Sequence, residues 1–115
     1  MMMPLTTAFS AGDVVLVPFP FTDRAAAKRR PALVCSAGAF NHEARHLVLA
    51  MITTQAHVAW PHDVAIDDLD AAGLSAPSIV RWKLFTLADS FIVRRIGALS
   101  ARDRSDCRAA LPIAL

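Results

Sequence analysis

Apolar positions along the chain fall into short runs, each closed by a residue that stops a strand or a helix. Val14 to Val17 is a β-branched apolar run introduced by Gly12-Asp13 and ended by Pro18, and it reads as a strand buried on both faces. Thr22 to Arg30 is polar and basic and reads as a loop. Pro31 then opens a second strand, Ala32 to Ser36, because proline is tolerated at a strand's first position. His46 to Thr54 reads as a third, central strand ending in two hydroxyls. Trp60 to Ile66 and Ser78 to Leu87 give further strands, separated by the turn-rich stretch Asp67 to Pro77, and Phe91 to Ile96 is the last.

The period changes at the C-terminal end. Ser100 followed by Asp103 resembles a capping box with Asp in the Glu position, and Cys107, Ala110, Leu111 and Ala114 recur at helical spacing. Pro112 disfavours helical geometry at Leu111, so the helix ends near there. Many short strands and one terminal helix predict a mainly β fold: a small, strongly bent sheet or partly open barrel with the helix packed on it.

Composition narrows the class. The 115 residues suit a single domain, and no repeat, low-complexity segment or Gly/Ser linker divides them. With 55% apolar and 19% charged residues, the chain is not a disordered tail. The longest apolar run, Val14 to Phe21, is far short of the ~18 residues of a membrane span and carries Pro18 and Pro20. Met1 to Gly12 has no Lys or Arg and no stretch suited to a signal peptide, so a cytosolic protein without membrane contact is expected. Cys35 and Cys107 form no C-x-x-C pair and are expected to be small core residues. The formal net charge of +2 hides an asymmetry: Asp63 to Asp70 holds four carboxylates and no cation, which leaves +6 elsewhere. Ten of the twelve cations are Arg, whose planar fork suits phosphate.

Two constellations carry candidate chemistry. His42-Glu43-Ala44-Arg45-His46 matches H-E-x-x-H, in which two His on one helical face hold zinc and Glu activates its water. The motif needs a helix, yet it runs straight into the apolar stretch Leu47 to Ile52, which suits a strand beginning at His46. A metzincin's third His would fall on Ile52, leaving His57, His62 or a distant carboxylate as further ligand, and the alternative is a solvated loop rich in His. The second constellation is basic and hydroxylic. Lys28, Arg29 and Arg30 precede a strand, Thr53 and Thr54 end another, and Arg81 and Lys83 alternate along a third, sharing a face with Ile79 opposite Val80, Trp82 and Leu84. Either the strand ends converge on one groove, or these are ordinary surface cations and strand-end hydroxyls.

The fragments Gly12-Asp13-Val14-Val15-Leu16-Val17-Pro18-Phe19, Arg30-Pro31-Ala32-Leu33-Val34, Gly38-Ala39-Phe40-Asn41, Ile52-Thr53-Thr54-Gln55, Pro77-Ser78-Ile79-Val80-Arg81 and Phe85-Thr86-Leu87 occur in the order and spacing of the MazF/PemK toxins, and the chain resembles that family over nearly its whole length. The resemblance implies an SH3-like small β-barrel with a C-terminal helix and a homodimer. It further implies a sequence-specific endoribonuclease that needs no cofactor, is held inactive by a cognate antitoxin, and meets operator DNA through the antitoxin complex. By the same resemblance Arg30 and Thr53 match the catalytic Arg and Thr, Thr54 the following hydroxyl, and Arg81 the second Arg of some members. Lys83 departs from the pattern, standing where those members have an Asp proposed as general base. Asp23 is a substitute on loop proximity, or simply a turn residue after Thr22.

Cleaving RNA through its own 2′-hydroxyl needs a base for that hydroxyl, a donor to the departing 5′-oxygen and positive charge or hydrogen bonds on the phosphorane oxygens. Arg30 and Thr53 suit the last two roles, and Lys28, Arg29, Thr54, Arg81 and Lys83 are expected to support or bind RNA. Trp60, Trp82 and Phe85 are candidates to stack on unpaired bases, although Trp82 and Phe85 sit within a strand and equally suit the core. The expected function is that of a metal-independent endoribonuclease on single-stranded RNA. The competing readings are a binding module on the same barrel, which lost its base with Lys83, and a zinc hydrolase.

Overall fold

The computed structural model describes residues 9–18, 28–54 and 58–115. Its strands are β1 (Asp13–Pro18), β2 (Arg29–Val34), β3 (His46–Thr54), β4 (Val64–Ala65), β5 (Ser78–Ala88) and β6 (Arg94–Ala98). They form one six-stranded sheet in the order β4-β5-β3-β2-β1-β6, with every neighbouring pair antiparallel. The sheet curls into a half-barrel and a C-terminal helix, α3 (Ala101–Ala110), packs on it, which is the predicted mainly β class. No helix among the described residues is long and apolar enough to cross a membrane.

Both faces of the sheet are buried, as the unbroken apolar runs of β1 and β3 require. On one face Val14, Leu33, Ala50, Ile52, Val80 and Trp82 form the larger core, closed by Leu99 and Cys107. On the other, Val15, Val17, Ala32, Val34, Leu47 and Leu49 form a smaller one against Phe9, Phe85, Leu87 and Ile92. Odd and even positions of each strand divide between the two cores, as the period of two demands. The β3–β5 ladder is broken once: Ala50 pairs with Leu84 and Met51 with Arg81, so Trp82 and Lys83 have no partner on β3. Because the extra residues number two, the alternation of β5 is the same on both sides of the bulge.

Several predicted elements change. Gly38–Ala44, to which the sequence pattern assigns no element, is a short helix, α1, which buries Asn41. Asn41 donates to the carbonyls of Phe9 (2.8 Å) and Ser36 (3.0 Å), while Ser36 Oγ donates to Asn41 Oδ1 and accepts from Val48 N, so this side chain pins α1 to β3. The strand predicted over Trp60 to Ile66 shortens to Val64–Ala65, because Pro61 lacks an N–H and His62 turns into the left-handed region (φ 65). Within the turn-rich stretch lies a single helical turn, α2 (Leu69–Ala72), closed by Gly73 at φ 75. A Cβ at Gly73 would collide with the Ile96 backbone, so the residue serves both the left-handed cap and the approach of α2 to β6. The last strand begins at Arg94 rather than Phe91, which belongs to a 3-10 turn over Asp89–Phe91.

The capping box at α3 is half made. Ser100 Oγ accepts from Asp103 N at 3.1 Å, but the Asp103 carboxylate, fully buried, accepts instead from Asp67 N (3.0 and 3.1 Å) and Asp68 N (2.9 Å). Asp68 in turn accepts from Ala71 N at 3.0 Å and caps α2. One carboxylate therefore ties α3 to the acidic stretch.

Asp103→Ala is expected to cost about 2 to 4 kcal/mol, since two part-buried N–H groups lose their carboxylate acceptor. The urea midpoint should fall with an unchanged m-value, and a midpoint equal to the wild type would show that the carboxylate is not the tie. The two cysteines fit the core reading. Burial pushes Cys35 up to about 12, with Cys107 adding to the shift, and burial pushes Cys107 up to about 11. Raised thiol values mean the neutral form at physiological pH, so iodoacetamide at pH 8 should alkylate both slowly in the folded protein and fast in urea.

Candidate active site

Register brings the strongest candidates together. The β2–β3 ladder pairs Ala32 with Met51, Leu33 with Ala50 and Val34 with Leu49, and continued by two residues it sets Arg30 level with Thr53. Arg30 pairs with Val17 on β1, and Thr53 with Ile79 on β5. Cross-strand partners share a face, and strand parity extends the β2–β3 pairing beyond Ala32–Met51, so the Val17–Arg30 and Thr53–Ile79 pairs make one row on the same face. The adjacent row is Val15, Ala32, Met51 and Arg81. Arg30 is half-buried, with its Nε enclosed, and Thr53 is half-buried beside it in register. A guanidinium and a hydroxyl held on neighbouring rigid strands can meet two oxygens of one phosphate.

The other basic and hydroxylic candidates divide. Thr54 and Arg29 follow and precede the row by one position, so strand alternation turns both to the opposite face. Arg29 and Thr54 are exposed, as is Lys28 before β2. Asp23, the substitute base, lies outside the described residues, as do most of the predicted first loop, Gln55 and His57.

Arg81 lies on the face of Arg30 and Thr53, but its guanidinium is engaged. The β4–β5 ladder pairs Val64 with Val80 and Ala65 with Ile79, which makes Asp63 and Arg81 the next rung. Arg81 Nε donates to Asp63 Oδ1 at 3.2 Å and Nη2 to Oδ2 at 2.8 Å, and Nη2 also donates to the Val58 carbonyl at 3.0 Å. These hydrogen bonds from Arg81 hold the Asp63 carboxyl below the usual carboxylate range, and the same pairing raises Arg81. Asp63 is thus the functional residue that sequence reasoning missed: it was visible only as one of four acids in a run, and its partner emerges from the β4–β5 register. Lys83 places its ammonium 4.7 Å from the centroid of the Trp60 ring. Of the aromatic candidates, Trp82 is 7% exposed and donates from Nε1 to the His62 carbonyl at 2.7 Å, Phe85 packs against the smaller core, and Trp60 is 40% exposed.

The H-E-x-x-H match breaks at its fourth residue. His42 lies in the last turn of α1, Arg45 takes the left-handed conformation (φ 56) that ends it, and His46 opens β3 with Nδ1 3.1 Å from the Ala44 carbonyl. The two imidazoles therefore do not share a helical face, and no group of three or more candidate ligands occurs among the described residues. A cavity of about 310 Å³ lies on the other side of the sheet, lined by Leu33, Trp82, Leu99, the α3 residues Arg104 and Cys107, and Leu111 just after the helix, remote from the Arg30–Thr53 row.

A curled antiparallel sheet with one C-terminal helix defines an SH3-like half-barrel. A family model described as PemK-like, MazF-like toxin of type II toxin-antitoxin systems matches residues 10–115, and the chain belongs to that family. A search of curated proteins returns no match. Among solved structures, a mycobacterial endoribonuclease in complex with its cognate antitoxin is similar at a TM-score of 0.72 and 19% identity, covering 90% of this chain and 91% of that one. A MazE–MazF complex from Deinococcus radiodurans aligns at 0.71 with 22% identity over 91% and 94% of the two chains. The Mycobacterium tuberculosis toxin MazF-mt6 aligns at 0.70 with 22% identity over 86% and 91%.

The Asp63–Arg81 pair gives a titration signature. A carboxyl whose folded value is depressed contributes stability that is present above its unfolded value and is lost as the pH falls through the folded one. The Asp63 carboxyl carbon, followed by NMR, should titrate below the usual carboxylate range and return to it in Arg81→Gln. An ordinary midpoint in the wild type would show that the clamp does not form in solution.

Proposed function

We propose that this toxin is an endoribonuclease that cleaves single-stranded RNA through the substrate's own 2′-hydroxyl, with Arg30 and Thr53 at the scissile phosphate. The observation that supports the reading is the strand parity that sets Arg30 and Thr53 on one sheet face, two residues beyond the Ala32–Met51 pair. Family membership supports the reaction class, since toxins of this family are endoribonucleases.

In the reaction the 2′-oxygen attacks phosphorus and loses its proton, the P–O5′ bond breaks, and the 5′-oxygen gains a proton. The products are a 2′,3′-cyclic phosphate and a free 5′-hydroxyl. Arg30, permanently charged, stabilises the negative charge that grows on the phosphorane oxygens. Thr53 offers a hydroxyl to the same oxygens or to the leaving group. Arg81 is committed to Asp63, so its part is to hold that loop rather than to donate to phosphate. Lys83 is no base in its charged form, and an Asp63 carboxylate of lowered basicity is a weak one. That pair of facts favours a second reading, in which the chain binds RNA without cutting it.

The partner structures among the similar folds support an antitoxin as inhibitor. We extend the proposal to a homodimer, to an acidic antitoxin segment lying over the Arg30 face, to operator DNA contacted through that complex, and to the cytosol, where the RNA is.

Incubating the protein with mixed-sequence single-stranded RNA in EDTA should yield fragments with 2′,3′-cyclic phosphate ends. Arg30→Ala should lower the rate by about 10² to 10³, the usual loss when one such donor is removed, and Thr53→Val should slow it as well. Deoxyribose 5′ to the cut should abolish cleavage and leave binding. A 5′-phosphate on the downstream fragment, or full activity in a folded Arg30→Ala protein, would refute the assignment. RNA retained but never cut would establish the binding module.

A further inference from the structure

The segment Val58 to Asp63 is held on β5 at several points. Arg81 binds both oxygens of Asp63 and the carbonyl of Val58, and Trp82 Nε1 binds the carbonyl of His62. Asp63 Oδ2 also accepts from Trp60 N at 2.9 Å, and Asp63 N donates to the Trp60 carbonyl at 3.2 Å. His62 adopts φ 65, so the turn is fixed in a conformation few side chains choose. Every anchor in this set surrounds Trp60, and none of them buries its ring, which is 40% exposed. One face of that ring is already occupied by the Lys83 ammonium at 4.7 Å. An aromatic side chain left in water beside a cation costs the fold apolar exposure, yet here the backbone is immobilised to keep it there.

We propose that Trp60, backed by Lys83, is a stacking platform for one unpaired nucleobase of the RNA, and that the Asp63–Arg81 pair is the positioning device that presents it. The proposal rests on the RNA-directed reading above and deepens it. The chemistry is that of single-strand recognition: an indole face offers a base a π surface, and an adjacent cation adds to the attraction and draws the phosphodiester backbone. The position also fits. Asp63 lies two strand spacings of ~4.8 Å from Met51, and Thr53 is two residues further along β3, which puts Asp63 about 12 Å from Thr53, so the platform receives a neighbouring nucleotide and leaves the scissile phosphate to Arg30 and Thr53. It further accounts for Lys83: a carboxylate at that position would repel both the indole face and the RNA, whereas an ammonium supports both.

The test uses the full chain and an uncleavable probe, a mixed-sequence 2′-O-methyl RNA of about a dozen nucleotides. Trp60 is exposed and Trp82 buried, so the red edge of the tryptophan emission reports Trp60. Saturating RNA should quench that edge, and Trp60→Phe should remove the signal while keeping most of the affinity. Trp60→Ala should weaken binding by about tenfold to a hundredfold, the range for loss of one stacked base, without changing the slope of log K against log salt. Lys83→Met should weaken binding and make that slope shallower by about one charge. Asp63→Asn should raise KM for a cleavable RNA more than it lowers kcat, which a merely structural loss would not do. RNA that binds without touching the red-edge emission, or a folded Trp60→Ala protein with wild-type affinity, overturns the platform, as does quenching by an acidic peptide but not by RNA. Cleavage of RNA with Trp60 unmoved sinks this proposal alone. Quenching without cleavage sinks the nuclease reading and keeps the platform, and no binding at low salt overturns both.

Discussion

The antiparallel register of β3 against its two neighbours is the constraint on which the site depends. Thr53 lies on the Arg30 face and opposite Ile79 only because β3 pairs with β2 and β5 at fixed offsets. A slip of one residue would turn Thr53 into the opposite core and bring Thr54 to the Arg30 face. The slip is opposed from both sides of the sheet, since Leu47 and Leu49 fill one core while Ala50 and Ile52 fill the other. Strands buried on a single face resist a slip by one set of contacts; this strand resists it by two. The β5 bulge at Trp82 and Lys83 obeys the same constraint, because an extra length of two residues curls the sheet without exchanging its faces.

Electrostatics then sorts the cations that register gathers. Arg81 and Arg30 share a face, but Arg81 meets a carboxylate on the next rung and Arg30 stands level with a hydroxyl. A guanidinium that already binds two carboxylate oxygens has less to offer a phosphate. Lys83 follows from that difference. With Asp63, just before β4, supplying the negative partner of Arg81, a carboxylate at position 83 would crowd two negative charges around one cation. An ammonium there is compatible with the pair and finds its own partner in the indole of Trp60.

Most of the fold was legible because hydrophobic runs of period two name strands and because Ser100 and Pro112 bracket a helix. β3 matches its expected limits, His46 to Thr54, since both ends are marked by a change from apolar to polar residues. What escaped was structure set by tertiary contacts. α1 carries no side-chain N-cap and only seven residues, and it persists because Asn41 finds the carbonyls of Phe9 and Ser36, which no local pattern announces. Asp103 looked like a reciprocal cap and instead crosses to Asp67 and Asp68, because a buried carboxylate takes the donors that have no other acceptor. At the site, Arg30 and Thr53 were legible by resemblance and their shared face followed from strand parity. Asp63 was not, since its salt bridge to β5 depends on the register of the adjoining β4, which a two-residue strand barely signals.

The two faces of the sheet carry different burdens, and that division explains why a chain of this size can hold exposed chemistry at all. α3, α2 and the Asp103 ties all serve the face of Val14, Ile52 and Trp82, where the larger core forms. The other face is closed mainly by strand residues and leaves the Arg30–Thr53 row half-buried. Trp82 joins the two: its ring packs in the larger core while its Nε1 holds the His62 carbonyl of the turn that presents Trp60. Packing on one face therefore fixes the geometry of the turn on the other, and the segment from Val58 to Asp63 is tied to the core through Trp82.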